Sequence, residues 1–242
     1  MLKTRITSYN LIHTMNLPVI GIVGGMGIKA ALAFNQLLID SWPVSTEDDF
    51  PRIILDNLSS VPSRYEALTQ DRGPLLYTIA KCIDGLKLSG ADVIVLPCNA
   101  IHYFYHDIIN ISTLPVFNMI EQVSSVLKDK VKQQRVLVIG AYITTEFQLY
   151  SKWLTGCQYL GNIHKQFFYD LIIQSKYKTV DISTTLQQEK IFSILSQYEV
   201  DHVLLACTEL SFLKETLAQR YSCFDSNEVY AQAIIECFKK YS

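Results

Sequence analysis

Residues 91–100 (ADVIVLPCNA) and residues 200–209 (VDHVLLACTE) align without a gap and share Asp, Leu and Cys at the same positions. Each stretch is an apolar run that ends in a cysteine, followed by a small polar residue, Asn99 in one and Thr208 in the other. Short apolar runs of this kind are typical of strands that are buried on both faces of a parallel sheet. The pattern predicts an α/β fold, and its recurrence after 109 residues predicts two similar halves.

A strand that ends in glycine precedes each cysteine stretch: residues 19–24 read VIGIVG and residues 136–140 read VLVIG. Ligands of open parallel sheets bind beyond the carboxyl ends of the strands. We therefore expect two similar lobes, each with a mainly parallel sheet flanked by helices, and an active site in the cleft between them with Cys98 and Cys207 on opposite walls. The predicted boundaries are an N-terminal extension at 1–16, a first lobe at 17–117 that helix 224–242 completes, and a second lobe at 118–223.

Apolar β-branched runs alternate with longer amphipathic segments along the whole chain. Strands are predicted at 19–23, 52–56, 92–96, 115–117, 136–139 and 202–205, with a further short one near 158–160. Apolar residues at helical spacing predict helices at 30–39, 75–88, 118–128, 145–154, 163–173, 182–197 and 228–239.

The composition limits the classes of protein to which the chain can belong. Of its 242 residues, 49% are apolar and 18% are charged, which is typical of a globular protein and not of a disordered chain. The net charge of −2 and the lack of a basic run argue against a nucleic-acid partner. Residues 6–28 carry no charged side chain, but polar residues and glycines interrupt them, so neither a signal peptide nor a membrane span is predicted.

Six cysteines without a secretory signal predict reduced thiols in the cytoplasm. Cys98 and Cys207 are the candidates for chemistry, because each lies where a strand ends and has a polar neighbour. The chain has no Cys-x-x-Cys pair and no histidine cluster, so no metal site is predicted. Cysteine is among the most often buried residues, and a structural role is expected for the other four, Cys82, Cys157, Cys223 and Cys237.

The glycine-rich turn at residues 21–27 (GIVGGMG) follows a strand and opens a helix. It is either a tight connection or an anion site formed by backbone N–H groups. Gly25, Gly27 and Ala30 also fit the dinucleotide fingerprint G-x-G-x-x-A, with Asp56 as the acidic partner of a ribose. This alternative gives no reason for a repeated cysteine at a strand end.

A second alternative is acyl transfer by Cys98 with a histidine as its base. His102 and His106 lie among aromatic residues and fit a packed amphipathic face. His202 precedes Cys207 by five residues, an odd number, so the two side chains leave a strand on opposite faces. All three histidines are therefore expected to be structural.

Four motifs together resemble the aspartate/glutamate racemase family: GIVGGMG at 21–27, LPCNAIHYFYHDI at 96–108, PVFNMIE at 115–121 and LLACTEL at 204–210. The resemblance runs from about Leu17 to the C-terminus, and CTE, in place of the CTH of glutamate racemases, favours the aspartate racemase branch. It implies a cofactor-independent, two-lobed α/β isomerase, commonly a dimer, that acts on an amino acid. It also implies one catalytic cysteine from each lobe, which agrees with the repeat.

Racemisation explains the need for two cysteines, because a proton leaves one face of the α-carbon and another returns to the opposite face. One sulfur must be a thiolate while the other is a thiol. A free thiol with a pKa of about 8.5 is mostly protonated at neutral pH. A helix N-terminus contributes only about 0.3–1 kcal/mol, less than one pKa unit, so the substrate ammonium group and donors to its carboxylate must help.

The resemblance further implies which residues bind substrate. Asn99, Thr208 and Thr144 correspond to contacts of the α-carboxylate or amino group. Arg64, in VPSR where the family has IPDR, would bind a side-chain carboxylate in bidentate geometry. Lys176 is the second cation, with Lys178 as its alternative. The glycine turn contributes Met26 and Gly27.

Two departures from the family pattern leave the substrate open. CNAIH replaces the usual CNTAH, so Ala100 stands where a threonine hydroxyl is usual, and MGIKAA at 26–31 replaces MGPEAT. Aspartate is expected, with glutamate or another small amino acid as alternatives. A catalytically silent amino-acid or dinucleotide binder, or an isomerase or decarboxylase of a small diacid, also remains open, although such relatives often keep only one of the two cysteines.

Overall fold

A computed structural model of the protein describes residues 17–182 and 184–239, so the predicted extension at 1–16 lies outside the described residues. The described chain forms two compact units. One contains residues 17–97, 104–118 and 231–239, and the other contains residues 98–103 and 119–230. Within the described residues, no helix has the length and apolar character that crossing a membrane requires.

Strands and helices alternate along the chain, as the sequence predicts. The first half contains strands β1 (Ile20–Val23), β2 (Ile53–Asp56), β3 (Val93–Val95) and β4 (Val116–Phe117), and helices α1 (Ile28–Ser41), α2 (Arg64–Thr69), α3 (Gly73–Leu88) and α4 (Tyr105–Ile111). The second half contains α5 (Met119–Val131), β5 (Val136–Gly140), α6 (Tyr142–Glu146), β6 (Cys157–Tyr159), α7 (Asn162–Tyr177), α8 (Thr185–Leu195), β7 (His202–Ala206), α9 (Lys214–Leu217), β8 (Ser222–Asp225) and α10 (Ser226–Phe238). Short 3₁₀ segments lie at Glu47–Asp49, Ala100–Phe104 and Thr208–Leu213.

Both sheets are four-stranded and parallel, and their strand orders are equivalent: β2-β1-β3-β4 in one and β6-β5-β7-β8 in the other. Helices flank each sheet. This architecture confirms the predicted α/β fold with two similar halves. The two strands that lead to the cysteines, β3 and β7, are each third in their sheet.

Each sheet has its own apolar core, as expected for strands that are continuous apolar runs. Ile20, Ile22 and Ile94 of the first sheet are fully buried, and α3 packs on β1 through a buried face. In the second unit, residues of β5 and β7 pack with Phe168 of α7 and Ile191 of α8. Burying an aliphatic side chain of this size contributes about 1.5–3 kcal/mol to the stability of the fold. These buried strand positions therefore fix the sheets, and with them the loops at the carboxyl ends of the strands.

The equivalent strand orders create one switch point in each sheet. After β2 the chain crosses over β1 to form β3, and after β6 it crosses over β5 to form β7. In open parallel sheets, ligands bind at the carboxyl ends of the strands on either side of such a reversal. The glycine turn follows β1, and Cys207 directly follows β7, so the predicted motifs leave the sheets at the edge where ligands bind.

The structure also differs from the prediction at several elements, and the short helices α2, α4 and α9 were not predicted. The predicted helix at 145–154 is wrong: α6 ends at Glu146, and turns follow it, with a positive φ of 46° at Gln148. The fully buried Tyr150 explains the apolar signal there, which comes from tertiary packing and not from a helix face. Strand β8 was not predicted, because SCFD is short and partly polar, yet it pairs with β7 at the edge of the second sheet.

Candidate active site

The glycine turn after β1 is held by Asn57, which follows β2. The Asn57 Oδ1 atom accepts the Gly25 N–H at 2.8 Å, and its Nδ2 donates to the Ile28 carbonyl at 3.1 Å. Gly25 has φ of +83°, and a Cβ atom there would lie 1.9 Å from the Leu58 carbonyl oxygen, so the turn requires glycine. The buried Met26 and the extended Gly27 then lead into α1. No sequence motif indicates this role of Asn57, which lies 32 residues from its partner Gly25.

Arg64 begins α2, where Ser63 caps the helix by accepting the Glu66 N–H. The guanidinium donates to the Met26 carbonyl at 3.2 Å and to the Pro62 carbonyl at 3.3 Å. Within the described ranges, no carboxylate lies within ion-pair distance of Arg64. Backbone carbonyls therefore orient a partly buried cation whose charge is left for an anionic ligand.

Cys98 follows β3 by three residues and is 7% exposed. Its neighbour Asn99 is held on both sides of its amide. The Asn99 Nδ2 donates to Ser226 Oγ at 3.0 Å, and its Oδ1 accepts the Tyr150 hydroxyl at 2.5 Å. One Asn99 amide hydrogen remains beyond these two bonds, because the group has two donors.

Cys207 directly follows β7 and is 6% exposed. Its Sγ donates to Glu209 Oε2 at 3.2 Å, and Thr208 Oγ1 donates to the same oxygen at 2.9 Å. Burial raises the pKa of Cys207 well above its ordinary value, and the negative charge of Glu209 raises it further. Cys207 is therefore a thiol at neutral pH. Glu209 belongs to the CTE motif, but the sequence alone indicates no role for its carboxylate.

Cys98 and Cys207 interact electrostatically. A negative charge on Cys98 raises the pKa of Cys207, after the larger effects of burial and Glu209. Both residues belong to the same compact unit. Ionisation of one sulfur thus disfavours ionisation of the other, so the pair prefers one thiolate and one thiol to two thiolates.

Thr144 lies in α6, just after β5, and is fully buried. Its Oγ1 has no hydrogen-bond partner among residues 17–182 and 184–239. A buried hydroxyl left in this state costs about 1–3 kcal/mol, which a ligand could offset. Thr144 and the Ala206 carbonyl both pack closely against Gly140. A Cβ atom at Gly140 would lie 2.7 Å from the Ala206 carbonyl oxygen and 3.2 Å from Thr144 Cβ, so a larger residue would not fit without a shift.

The two candidate lysines lie at the end of α7. Lys176 is half-buried in its last turn, and Lys178 follows the helix. Lys178 lines a cavity of about 540 Å³ between α7 and α8, together with Lys190 and Phe167. Lys176 does not line that cavity, and the choice between the two lysines stays a prediction.

The three histidines considered as bases have other partners. His102 Nε2 accepts the Met119 N–H at 3.4 Å, at the start of α5. His202 Nε2 lies 2.8 Å from Gln134 Oε1, at the amino end of β7, five residues or about 16 Å of strand from Cys207. His106 is exposed beside the ring of Tyr105.

Three of the other four cysteines, Cys82, Cys157 and Cys223, have surroundings that suppress thiolate formation. No disulfide joins any of the six cysteines, all of which lie within the described residues. Burial, together with a hydrogen bond from Cys82 Sγ to Asp56 Oδ2 at 3.0 Å, raises the pKa of Cys82. Burial also raises the pKa of Cys157 to about 11 and that of Cys223 to about 12. Asp56, considered above as a ribose partner, is thus engaged with α3.

The profile of the Asp/Glu/Hydantoin racemase family matches residues 23–234, which is most of the chain. The chain belongs to this family. It is therefore an isomerase of the racemase type, and the resemblance found in its motifs is confirmed.

Three similar proteins each cover more than nine-tenths of this racemase. The broad specificity amino-acid racemase RacX of Bacillus subtilis is 27% identical in an alignment of 235 residues that covers 92% of this chain and 99% of RacX. The aspartate racemase of Picrophilus torridus superposes with a TM-score of 0.76 and 25% identity, over 93% of this chain and 97% of its own. The glutamate racemase of Thermus thermophilus, with 18% identity and a TM-score of 0.63 over 93% of this chain and 82% of its own, shares the fold.

Proposed function

We propose that this racemase inverts an amino acid by two-base proton transfer between Cys98 and Cys207. The observation that supports the proposal is the state of Cys207. Its thiol donates to Glu209 at 3.2 Å, and a negative charge on Cys98 raises its pKa. A pair that prefers one thiolate and one thiol has the protonation states that the two-base reaction needs.

In the proposed reaction, the thiolate of one cysteine takes the α-proton, and the electron pair of the C–H bond is left on the substrate as a carbanion. The thiol of the other cysteine then gives its proton to the opposite face. For one enantiomer Cys207 is the acid, the state in which Glu209 holds it. For the other enantiomer Cys207 is the base, and its proton passes to Glu209 or solvent first. No cofactor takes part in this scheme.

The preferred substrate that we propose is an acidic amino acid, aspartate first and glutamate second. Arg64 supports this choice, since its oriented guanidinium has no ion-pair partner among the described residues. The aspartate racemase of Picrophilus torridus is a relative in keeping with it. RacX is named for broad specificity, which supports a second candidate, a racemase that accepts several side chains.

For the α-carboxylate and amino group of the substrate we propose three polar contacts, Asn99, Thr208 and Thr144, and for its second carboxylate one or two cations. The orphan hydroxyl of Thr144 and the remaining amide hydrogen of Asn99 are donors available for these groups. The proposed binding residues are Asn99, Thr208, Thr144, Arg64, Lys176, Met26 and Gly27. Met26 also orients Arg64 through its carbonyl.

Two properties of the assembly follow from family membership as proposals. We propose a homodimer, and we propose that it works in the cytoplasm, where its thiols stay reduced. Sedimentation of the purified protein with a reductant present tests the first of these, since a monomer at micromolar concentration would contradict it.

Exchange of the α-proton in D2O tests the proposed function. The reduced protein is incubated with each L- and D-amino acid without added cofactor, and proton NMR follows loss of the α-signal while chiral chromatography follows inversion. We expect exchange and inversion of aspartate or glutamate. Exchange and inversion of many side chains at similar rates would favour the broad-specificity alternative. Binding without exchange of any amino acid would contradict racemisation and favour a silent binder or a diacid enzyme.

A further inference from the structure

The turn between β8 and α10 consists of three consecutive polar residues that are almost fully buried. Asp225, which ends β8, is 3% exposed, and Ser226 and Asn227, which begin α10, are 0% and 4% exposed. The Asn227 N–H donates to Asp225 Oδ1 at 2.8 Å and closes the turn. Buried polar groups need hydrogen-bond partners. The side chains of Ser226 and Asn227 have partners in the loops that follow the two cysteines.

One hydrogen-bonded arm leads from the turn to the Cys98 loop. Ser226 Oγ accepts from Asn99 Nδ2 at 3.0 Å, across 127 residues of sequence. Tyr150, which is fully buried, donates to the other end of the Asn99 amide. The residue that follows Cys98 therefore has no freedom to rotate without breaking a buried hydrogen bond.

The other arm leads from the same turn to the Cys207 loop. Asn227 Nδ2 donates to Ser211 Oγ at 3.2 Å, and Ser211 Oγ donates to the Thr208 carbonyl at 3.2 Å. Thr208 directly follows Cys207. Both arms thus end on the residue after a cysteine, and both start from adjacent residues of one turn.

We propose that the turn Asp225–Ser226–Asn227 is a positioning element that sets the placement of the Cys98 and Cys207 loops relative to each other. The inference rests on the two-cysteine mechanism proposed above. Inversion needs both sulfur atoms in line with one α-carbon, whereas α-proton exchange on one face needs a single sulfur. Loss of an arm should therefore impair inversion more than exchange, because reacting groups displaced by about 1 Å can lose 10²-fold in rate.

Four variants test the proposal in D2O, with exchange and inversion measured on the same sample. Ser226→Ala removes the first arm, and Ser211→Ala cuts the second at a less buried position, so that one variant folds even if the other does not. Ser226→Thr keeps the hydroxyl and should restore activity. The matched control is Ser124→Ala, which removes a buried hydroxyl of α5 that has no partner within the described ranges.

We expect inversion to fall about 10- to 100-fold in Ser226→Ala and Ser211→Ala, with exchange from one enantiomer changed less than about threefold. Ser124→Ala and Ser226→Thr should keep the wild-type ratio of exchange to inversion. Wild-type inversion together with an unchanged ratio in both arm variants overturns this inference alone. A wild-type protein that shows no exchange overturns the two-cysteine mechanism, and the inference with it.

Discussion

The loops that follow β3 and β7 occupy equivalent places in two sheets of the same strand order, yet their polar surroundings differ. Beside Cys98 lies a neutral amide, Asn99, clamped by Tyr150 and Ser226. Beside Cys207 lies a carboxylate, Glu209, which accepts a hydrogen bond from the thiol. The strand order is the same in both sheets, but the charge next to the sulfur differs. The order of the strands determines where each loop begins, and it does not determine which side chain follows the cysteine.

This asymmetry bears on catalysis. A carboxylate next to Cys207 favours the thiol, so in the proposed mechanism Cys207 starts as the acid. Cys98, with an amide beside it, is then the sulfur that starts as the base.

Removing either cysteine should abolish inversion. Cys98→Ala and Cys207→Ala each take away the only acid–base group on one face, and inversion should fall by at least about 10²–10⁴-fold. Chiral chromatography measures it, with thermal unfolding to establish that both variants fold. Cys237→Ala on α10 is the matched control and should keep wild-type activity. Near-wild-type inversion in either active-site variant would contradict the two-base mechanism.

Asp225, in the turn from which both arms start, should make stability depend on pH. Burial raises its pKa from 3.8 to about 6. The negative charge of Glu228 also raises this pKa, and the positive charge of Lys214 lowers it. The folded protein holds this proton more tightly than the unfolded chain, so the stability it contributes is present below about pH 4 and is lost as pH rises through 6. The difference approaches about 3 kcal/mol at neutral pH.

Urea unfolding at about pH 4.5 and pH 7.5 measures this effect in the wild type and in Asp225→Asn, in which an amide oxygen still accepts the Asn227 N–H. The wild type should lose more stability between the two pH values than the variant does. An identical pH dependence of the free energy of unfolding in both proteins would show that Asp225 does not titrate in this range.

Arg64→Leu should separate acidic from neutral substrates. A charge-assisted hydrogen bond to a carboxylate contributes about 1.5–3 kcal/mol, so KM for aspartate should rise about 10- to 100-fold. Alanine, if it is a substrate, should be affected far less. Arg72→Leu is the matched control, since Arg72 pairs with Asp107 at an exposed position. An unchanged ratio of the KM values for aspartate and alanine would place the second carboxylate elsewhere.

Glu209→Gln should make the two loops more alike. Replacing the carboxylate with an amide removes the negative charge that raises the pKa of Cys207, so this pKa should fall. Alkylation of Cys207 by iodoacetamide, followed by mass spectrometry at a series of pH values, should show a midpoint at lower pH than in the wild type. Cys237, measured in the same sample, is the internal control. A midpoint that does not move would mean that Glu209 does not control this thiol.

The strands that lead to the two candidate cysteines were predictable because a parallel strand buried on both faces is a continuous apolar run, and a repeated run indicates a repeated half. Strand β6 was also predicted, near 158–160, although its residues are only partly buried. Strand β8 was missed, since SCFD at a sheet edge carries little apolar signal. The apolar segment around Tyr150 was mistaken for a helix, because burial by distant partners produces the same composition as a helix face.

The order of apolar and polar residues along the chain is enough to predict the α/β class, the pair of halves and the racemase family, and to single out the two candidate cysteines. Tertiary contacts determine which polar group lies against each loop: Ser226 and Tyr150 bind Asn99, and Asn57 binds the glycine turn. These partners lie 127, 51 and 32 residues from the groups they hold. A buried polar group forms its hydrogen bond with whichever partner the fold brings close to it, so the position of that partner along the chain cannot be predicted from the sequence.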